Sequence, residues 1–281
     1  MYSLSVKNAR GEKLQLSFNP DYAVRAEGLN SLSANINRTK SAGADGSKVN
    51  SKALNERNIV LYLKIRPPIE INRNRLYKFF NPNNEIRLFY RNKIVNAYID
   101  GVVENFDCDL YTNKETAIVS IICSDPYFKA VADTVHSFTR ITPLFEFPFA
   151  IPAEGVPFSE LTRLTNLTVN HGDVESGVIV EFYATTAQIL NPSFYNRTTQ
   201  KRITVNFDML QDDKIIINTN RGEKSITLIR DGISSNIINH MDGGSEWVTL
   251  EAGVNEISFD ADEGGENLNV TVTTTNKYMG V

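Results

Sequence analysis

Apolar side chains fall on every second position along most of this chain. Residues 2–6 and 13–18 alternate in this way. Residues 58–66 place Ile59, Leu61, Leu63 and Ile65 on one face, and the runs 85–90, 93–103 and 116–123 follow, with a turn at Asn92. Asn, Asp, Gly or Pro bound each run, and a period of two at this length predicts strands. One segment departs from the pattern. Across residues 71–80, Leu76, Phe79 and Phe80 sit at i, i+3 and i+4, which predicts a short helix. Asn72 is its expected N-cap and Asn81-Pro82 its stop, with Arg73, Arg75 and Lys78 outward and Pro67-Pro68 turning the chain into it. A helix this short needs a sheet to lie on.

Two stretches carry no such rhythm. Residues 39–56 hold Gly43, Asp45 and Gly46 among Ser and Asn, with almost no large apolar side chain, and read as a long loop of the functional or mobile kind. Between 142 and 158, Pro143, Pro148, Pro152 and Pro157 recur among Phe145, Phe147 and Phe149. Proline cannot donate to a central ladder, so this reads as a crossing segment, with the domain junction at its start. Alternation then resumes: Val178, Val180 and Phe182; Ile203, Val205 and Phe207; Ile215 and Ile217; Ile226 and Leu228; Ile257 and Phe259; Leu268, Val270 and Val272. Thr, Asn, Glu and Ser intervene, and turn signals stand at Asn220-Arg221-Gly222, Asp231-Gly232 and Asp242-Gly243-Gly244. One wet and one buried face per strand predicts an antiparallel β-sandwich. The fold class is therefore mainly β, in two domains at 1–138 and 139–281, the first a β-sheet domain with one short helix.

At 281 residues the length suits two domains, and 41% apolar with 22% charged residues excludes wholesale disorder. No run approaches a membrane helix, so no membrane insertion is expected. No signal peptide is evident, and two cysteines point to folding in a reducing compartment. The net charge of −4 conceals a split: residues 1–140 hold 20 Lys+Arg against 14 Asp+Glu, the remainder 9 against 19. The basic residues are scattered, so two differently solvated surfaces explain the split without nucleic-acid binding.

Reactive constellations are not visible. His136, His171 and His240 have no partners at zinc-ligand spacing, so no metal is expected. Cys108 and Cys123 lie on segments that could neighbour one another, which makes a disulfide conceivable and free thiols the expectation. Phosphate and dinucleotide loops are missing, and Gly243-Gly244-Ser245 lacks the flanks of a nucleophile elbow. Asp107 with Asp109, and Asp212 with Asp213, are the paired carboxylates, and solvated turns explain them more cheaply than glycosidase chemistry. The expectation is no enzyme, no catalytic residue and no cofactor, with a structural or binding role in their place.

The order of landmarks carries a resemblance. Gly43-Ala44-Asp45-Gly46 precedes Arg57-Asn58-Ile59-Val60-Leu61. Next come Arg75-Leu76-Tyr77-Lys78-Phe79-Phe80-Asn81-Pro82 and Cys123-Ser124-Asp125-Pro126-Tyr127-Phe128. His171-Gly172-Asp173-Val174-Glu175-Ser176-Gly177, Gly222-Glu223-Lys224-Ser225-Ile226 and the run from Trp247 to Asn255 complete the series. Over nearly the whole chain this resembles the distal tail protein (Dit) family of siphophage tails. The resemblance implies an N-terminal domain that closes into a homo-oligomeric, hexameric ring and a C-terminal galectin-like sandwich. It implies a structural virion protein of the tail tip or baseplate, assembled in the host cytoplasm. Such a ring caps the tail tube protein, anchors the tail-associated lysin or tip protein and, in many relatives, receptor-binding proteins, and lets DNA transit its channel without specific binding.

Ring joints are heterologous, and free strand edges suit them. Gly43, Asp45, Gly46 and Arg57 are the candidate subunit-interface residues. Because clustered Lys and Arg would hold passing phosphates, the surplus basic residues are expected away from the channel. The alternative function is a carbohydrate-binding module assisting adhesion, with Tyr183, Phe194, Tyr195 or Trp247 stacking on sugars. The sugar-reading residues of galectins are not recognisable: His240 is followed by Met241-Asp242, Asn191-Pro192 by Ser193, and Glu251 stands at the wrong spacing from Trp247.

Overall fold

A computed structural model describes residues 2–40, 42–43, 45–109, 115–139, 141–143, 159–161 and 166–281. The alternating runs form strands, and the structure adds strands at Tyr22–Glu27, Ala34–Thr39, Lys48–Leu54 and Phe128–Ala130 that the pattern does not mark. In the first part they are β1 (Ser3–Asn8), β2 (Lys13–Gln15), β3 (Tyr22–Glu27), β4 (Ala34–Thr39), β5 (Lys48–Leu54), β6 (Arg57–Ile65), β7 (Glu85–Arg91), β8 (Asn96–Cys108), β9 (Thr116–Cys123) and β10 (Phe128–Ala130), with helix α1 (Ile69–Phe79) between β6 and β7. The main sheet runs β2-β1-β7-β8-β9-β6-β3, all antiparallel, with β10 also on β8. Ile59, Leu61, Leu63 and Ile65 of β6 and Ala117, Val119 and Ile121 of β9 point to one side. There they share a core with Leu76, Phe79 and Phe80 of α1. Burying each such side chain contributes about 1.5–3 kcal/mol, which is what keeps an eleven-residue helix in place.

The helix begins earlier than its sequence suggests. Pro68 occupies the N-cap without a side-chain cap, and Asn72 lies one turn inside. Asn72 is buried: its amide donates to the Arg66 carbonyl at 2.9 Å, and its own carbonyl accepts the Tyr22 hydroxyl at 3.0 Å. The side chain that reads as a cap braces the turn at Arg66, the Asn72 backbone carbonyl ties the helix to Tyr22 of β3, and proline starts the helix because no donor is needed there. The Phe80 N–H closes the far end on the Leu76 carbonyl at 2.8 Å before Asn81-Pro82.

The chain divides into two units, Met1–Val131 with Tyr278–Val281, and Ala132–Lys277. Strand Thr134–Phe138, placed in the first domain on sequence, pairs with Leu268–Thr274 in the second unit, while Tyr278–Val281 lies in the first. The expected crossing segment lies outside the described residues, except that Ile141–Pro143 pairs with Ser159–Leu161.

The second unit holds two sheets. One orders Thr134–Phe138, Leu268–Thr274, Ser176–Ala184, Lys214–Asn218, Ser225–Arg230 and Ile233–Asn236; the other orders Asn166–Asn170, Gly253–Asp260, Ser193–Asn196 and Lys201–Thr204. Val180, Phe182, Ile215, Ile217, Leu228, Val270 and Val272 from the first meet Phe194, Ile203, Ile257 and Phe259 from the second in one core. Opposed inner faces sharing a core make a sandwich.

Gly264 shows how tightly the sandwich is trimmed. Its φ is +72°, and a Cβ there would stand 2.2 Å from the Gln188 carbonyl oxygen. Gly264→Ala is expected to cost about 2–4 kcal/mol through clash and left-handed strain. Denaturant unfolding of the variant measures this, and a loss below half a kilocalorie would contradict it.

Candidate assembly surface

The segment 39–56 is not a loop. It belongs to a two-stranded ribbon in which β4 pairs with β5 from Ala34↔Leu54 to Thr39↔Lys48, with a bulge between Asn37 and Arg38. Every residue of both strands is exposed. Sequence reading missed the ribbon because its signal is one buried face per strand, and a ribbon wet on both sides has none. The tip carries Gly43 at φ +81° and Gly46 at φ +85°, flanking Asp45, and a cleft of about 380 Å³ there is lined by Arg38, Lys40, Gly46 and Ser47.

The ribbon is also amphipathic. Ala34, Ile36, Lys52 and Leu54 share one face by the register, with Arg38 and Val49 following across the bulge, whereas Asn35, Asn37, Ser51 and Ala53 share the other. Ile36 is 50% and Val49 53% exposed. An isolated two-stranded hairpin is marginal in water, so a ribbon like this gains its stability from what it lies against. The main sheet ends in β2 on one side and β3 on the other, each with an open edge among the described residues.

Arg57 corrects the site expected from sequence. It is 2% exposed and faces inward, so Gly43, Asp45 and Gly46 come together at the ribbon tip without it. Its Nε donates to the Pro126 carbonyl at 2.8 Å, Nη1 to Gly28 and Leu29 at 3.0 and 2.6 Å, and Nη2 to Met279 at 2.5 Å. The guanidinium also stands 5.0 Å from the centre of the Phe128 ring. Burial pulls its pKa below the ordinary arginine value. Four of its five N–H groups are taken by carbonyls of its own unit, and at 2% exposure the guanidinium is turned away from any neighbouring subunit.

The remaining candidates are structural. Cys108 and Cys123 are free thiols, and burial pushes Cys123 up to about 12, far from thiolate chemistry. The Ser245 hydroxyl accepts the Thr204 N–H at 2.9 Å, and the Asp242 carboxylate accepts the Gly244 N–H at 2.9 Å, so that loop is braced internally. No cluster of metal-ligating side chains occurs among the described residues. Phe194 is fully buried and unavailable to a sugar, while the Trp247 ring packs against the core with the Lys224 ammonium 5.2 Å from its centre. On α1, Arg73 faces Glu115 at 3.6 Å and Arg75 faces Asp21 at 3.8 Å, so two of its three outward cations are engaged within unit 1.

The described residues thus form a sheet-and-helix unit carrying an exposed ribbon, and a β-sandwich. Residues 171–278 match the family model for the siphovirus-type tail component, C-terminal domain. Across 98% of both chains the fold is similar to the Dit protein (gp 19.1) of phage SPP1, described as a paradigm of the hub adsorption apparatus in phages infecting Gram-positive hosts, at 12% identity and a TM-score of 0.70. It is also similar to chains of the phage P2 baseplate in its activated conformation, with Ca and with Sr, at 13% identity over all of both chains and TM-scores of 0.55 and 0.53. No curated protein sequence matches. The fold is that of a siphophage distal tail protein. No helix among the described residues is long and apolar enough to cross a membrane.

Proposed function

We propose that this chain is a distal tail protein whose copies close head to tail into a hexameric ring at the baseplate hub. The ring caps the tail tube and leaves a channel for DNA. It anchors the tip or lysin protein below, and the galectin-like sandwich serves as a docking scaffold for receptor-binding proteins. The observation that carries this reading is the exposed amphipathic ribbon, attached to a fold that matches SPP1 Dit from end to end. The ribbon tip, with Gly43, Asp45 and Gly46, reaches the neighbouring copy, and the open edges of β2 and β3 supply the rest of a heterologous joint. A stable joint of this kind buries about 1,200–2,000 Å². Passing DNA is not arrested, because Arg73 and Arg75 are held by carboxylates of their own unit.

Electron microscopy and native mass spectrometry of the purified full chain test this. Annular particles of six copies are the expected result. A chain that stays monomeric at every concentration, alone and with the tail tube protein, overturns it.

A further inference from the structure

Unit 1 is discontinuous: the chain leaves it at Val131, builds all of unit 2, and re-enters it at Tyr278. The returning segment lands at a particular place. Met279 gives its carbonyl to Arg57, and the Val281 N–H donates to the Asn30 side-chain carbonyl at 3.1 Å. Both receiving residues stand at the root of the ribbon. Gly28, Leu29 and Asn30 lead from β3 toward β4, and Arg57 follows β5 by way of Asn55, which bonds Ser33 across the root through backbone (2.9 Å) and side chain (3.0 Å). Arg57 therefore gathers the incoming strand through Gly28 and Leu29, and the returning segment through Met279, onto one buried cation.

We propose that residues 278–281 act as a strap across the root of the ribbon, fixing the direction in which the ribbon projects from unit 1. The physical argument is the cost of leaving a buried cation short of an acceptor. With the strap in place, all three donor nitrogens of Arg57 are satisfied, and Phe128 covers the guanidinium. With the strap gone, Nη2 faces water or nothing, and Asn30 loses its partner. The loop 28–33 then has fewer ties holding it to the start of β6. Tyr278 joins the sheet through β10 and packs on its core with Val281, whereas β7 and β9 are held by their own ladders on the two halves of β8.

The consequence for ring closure rests on the proposed function; the orientation of the ribbon does not. The test uses the full chain with Cys108→Ser, bearing spin labels at Ser47→Cys on the ribbon and Glu104→Cys on β8. It is run at a concentration where the chain is monomeric. A narrow distance distribution is expected, broadening at least twofold when residues 278–281 are deleted and by an intermediate amount in Arg57→Lys. Hydrogen exchange is expected to rise in 28–33 and 55–57 and to stay unchanged in β8 and β9. A folded deletion variant with a distribution as narrow as the parent's overturns the strap. Should the deletion unfold the sheet, Arg57→Lys decides: an unchanged distribution overturns the strap, and broadening without loss of β8 and β9 protection supports it. A well-oriented ribbon on a chain that never forms rings sinks the proposed function and leaves the strap standing.

Discussion

Replacing residues 34–54 with a short Gly-Ser turn is expected to leave a folded protein and, on the head-to-tail assembly proposed above, to abolish ring formation. No ribbon residue belongs to either core, so unfolding free energy should change by no more than about 0.5–1 kcal/mol. Assembly is another matter. Ile36, Val49 and Leu54 are exposed on one ribbon face, and burying an apolar side chain contributes about 1.5–3 kcal/mol. With two of these three side chains buried at each proposed joint, their loss weakens it by roughly 3–6 kcal/mol, or about 10²–10⁴-fold in Kd. Native mass spectrometry reads the loss directly, with denaturant unfolding as the control for fold. Rings that persist in the excised protein would show that the sheet edges alone make the joint.

A second large effect is expected in the sandwich. Asp213 is 1% exposed and takes Arg230 in a fork: Nε reaches Oδ1 at 2.9 Å and Nη2 reaches Oδ2 at 2.5 Å. The Leu210 N–H adds a third bond to Oδ2 at 2.7 Å. Burial works to raise the Asp213 pKa, but the Arg230 fork and the Leu210 N–H together outweigh it and hold the carboxyl below its usual range. Breaking a buried pair from one side costs about 3–5 kcal/mol; the Arg230 side chain is 36% exposed, which discounts this to about 2–4. For Asp213→Asn that corresponds to a Tm roughly 5–15 °C lower at neutral pH. Because the folded pKa is depressed, the stabilisation is fully present above the unfolded value of about 4 and is lost as pH falls through the folded one. Parent and variant curves should therefore converge in acid. A gap that persists well below that range would mean the ion pair is not its source.

The buried faces of strands were legible in the sequence because they alternate. Ile59 to Ile65, Val178 to Phe182 and Leu268 to Val272 all turned out to be core, and the helix was betrayed by Leu76, Phe79 and Phe80. What stayed hidden lacked that contrast. The ribbon has no dry face, so its strands looked like a polar loop. Asn72 has the chemistry of a cap, yet its position was decided by Tyr22 and Arg66, fifty and six residues away. Arg57 looks from sequence like any charge at the start of a strand. Its enclosure depends on Met279, 222 positions later, which no local pattern contains. The discontinuity of unit 1 is illegible for the same reason: strand periodicity says where the chain is buried and nothing about which body buries it.

That discontinuity has a mechanical side. Unit 2 is spliced into unit 1 through two covalent crossings, at Val131–Ala132 and at Lys277–Tyr278, where a terminal domain would have one. Any load borne by unit 2 therefore divides between two backbone strands, and each must carry only part of it.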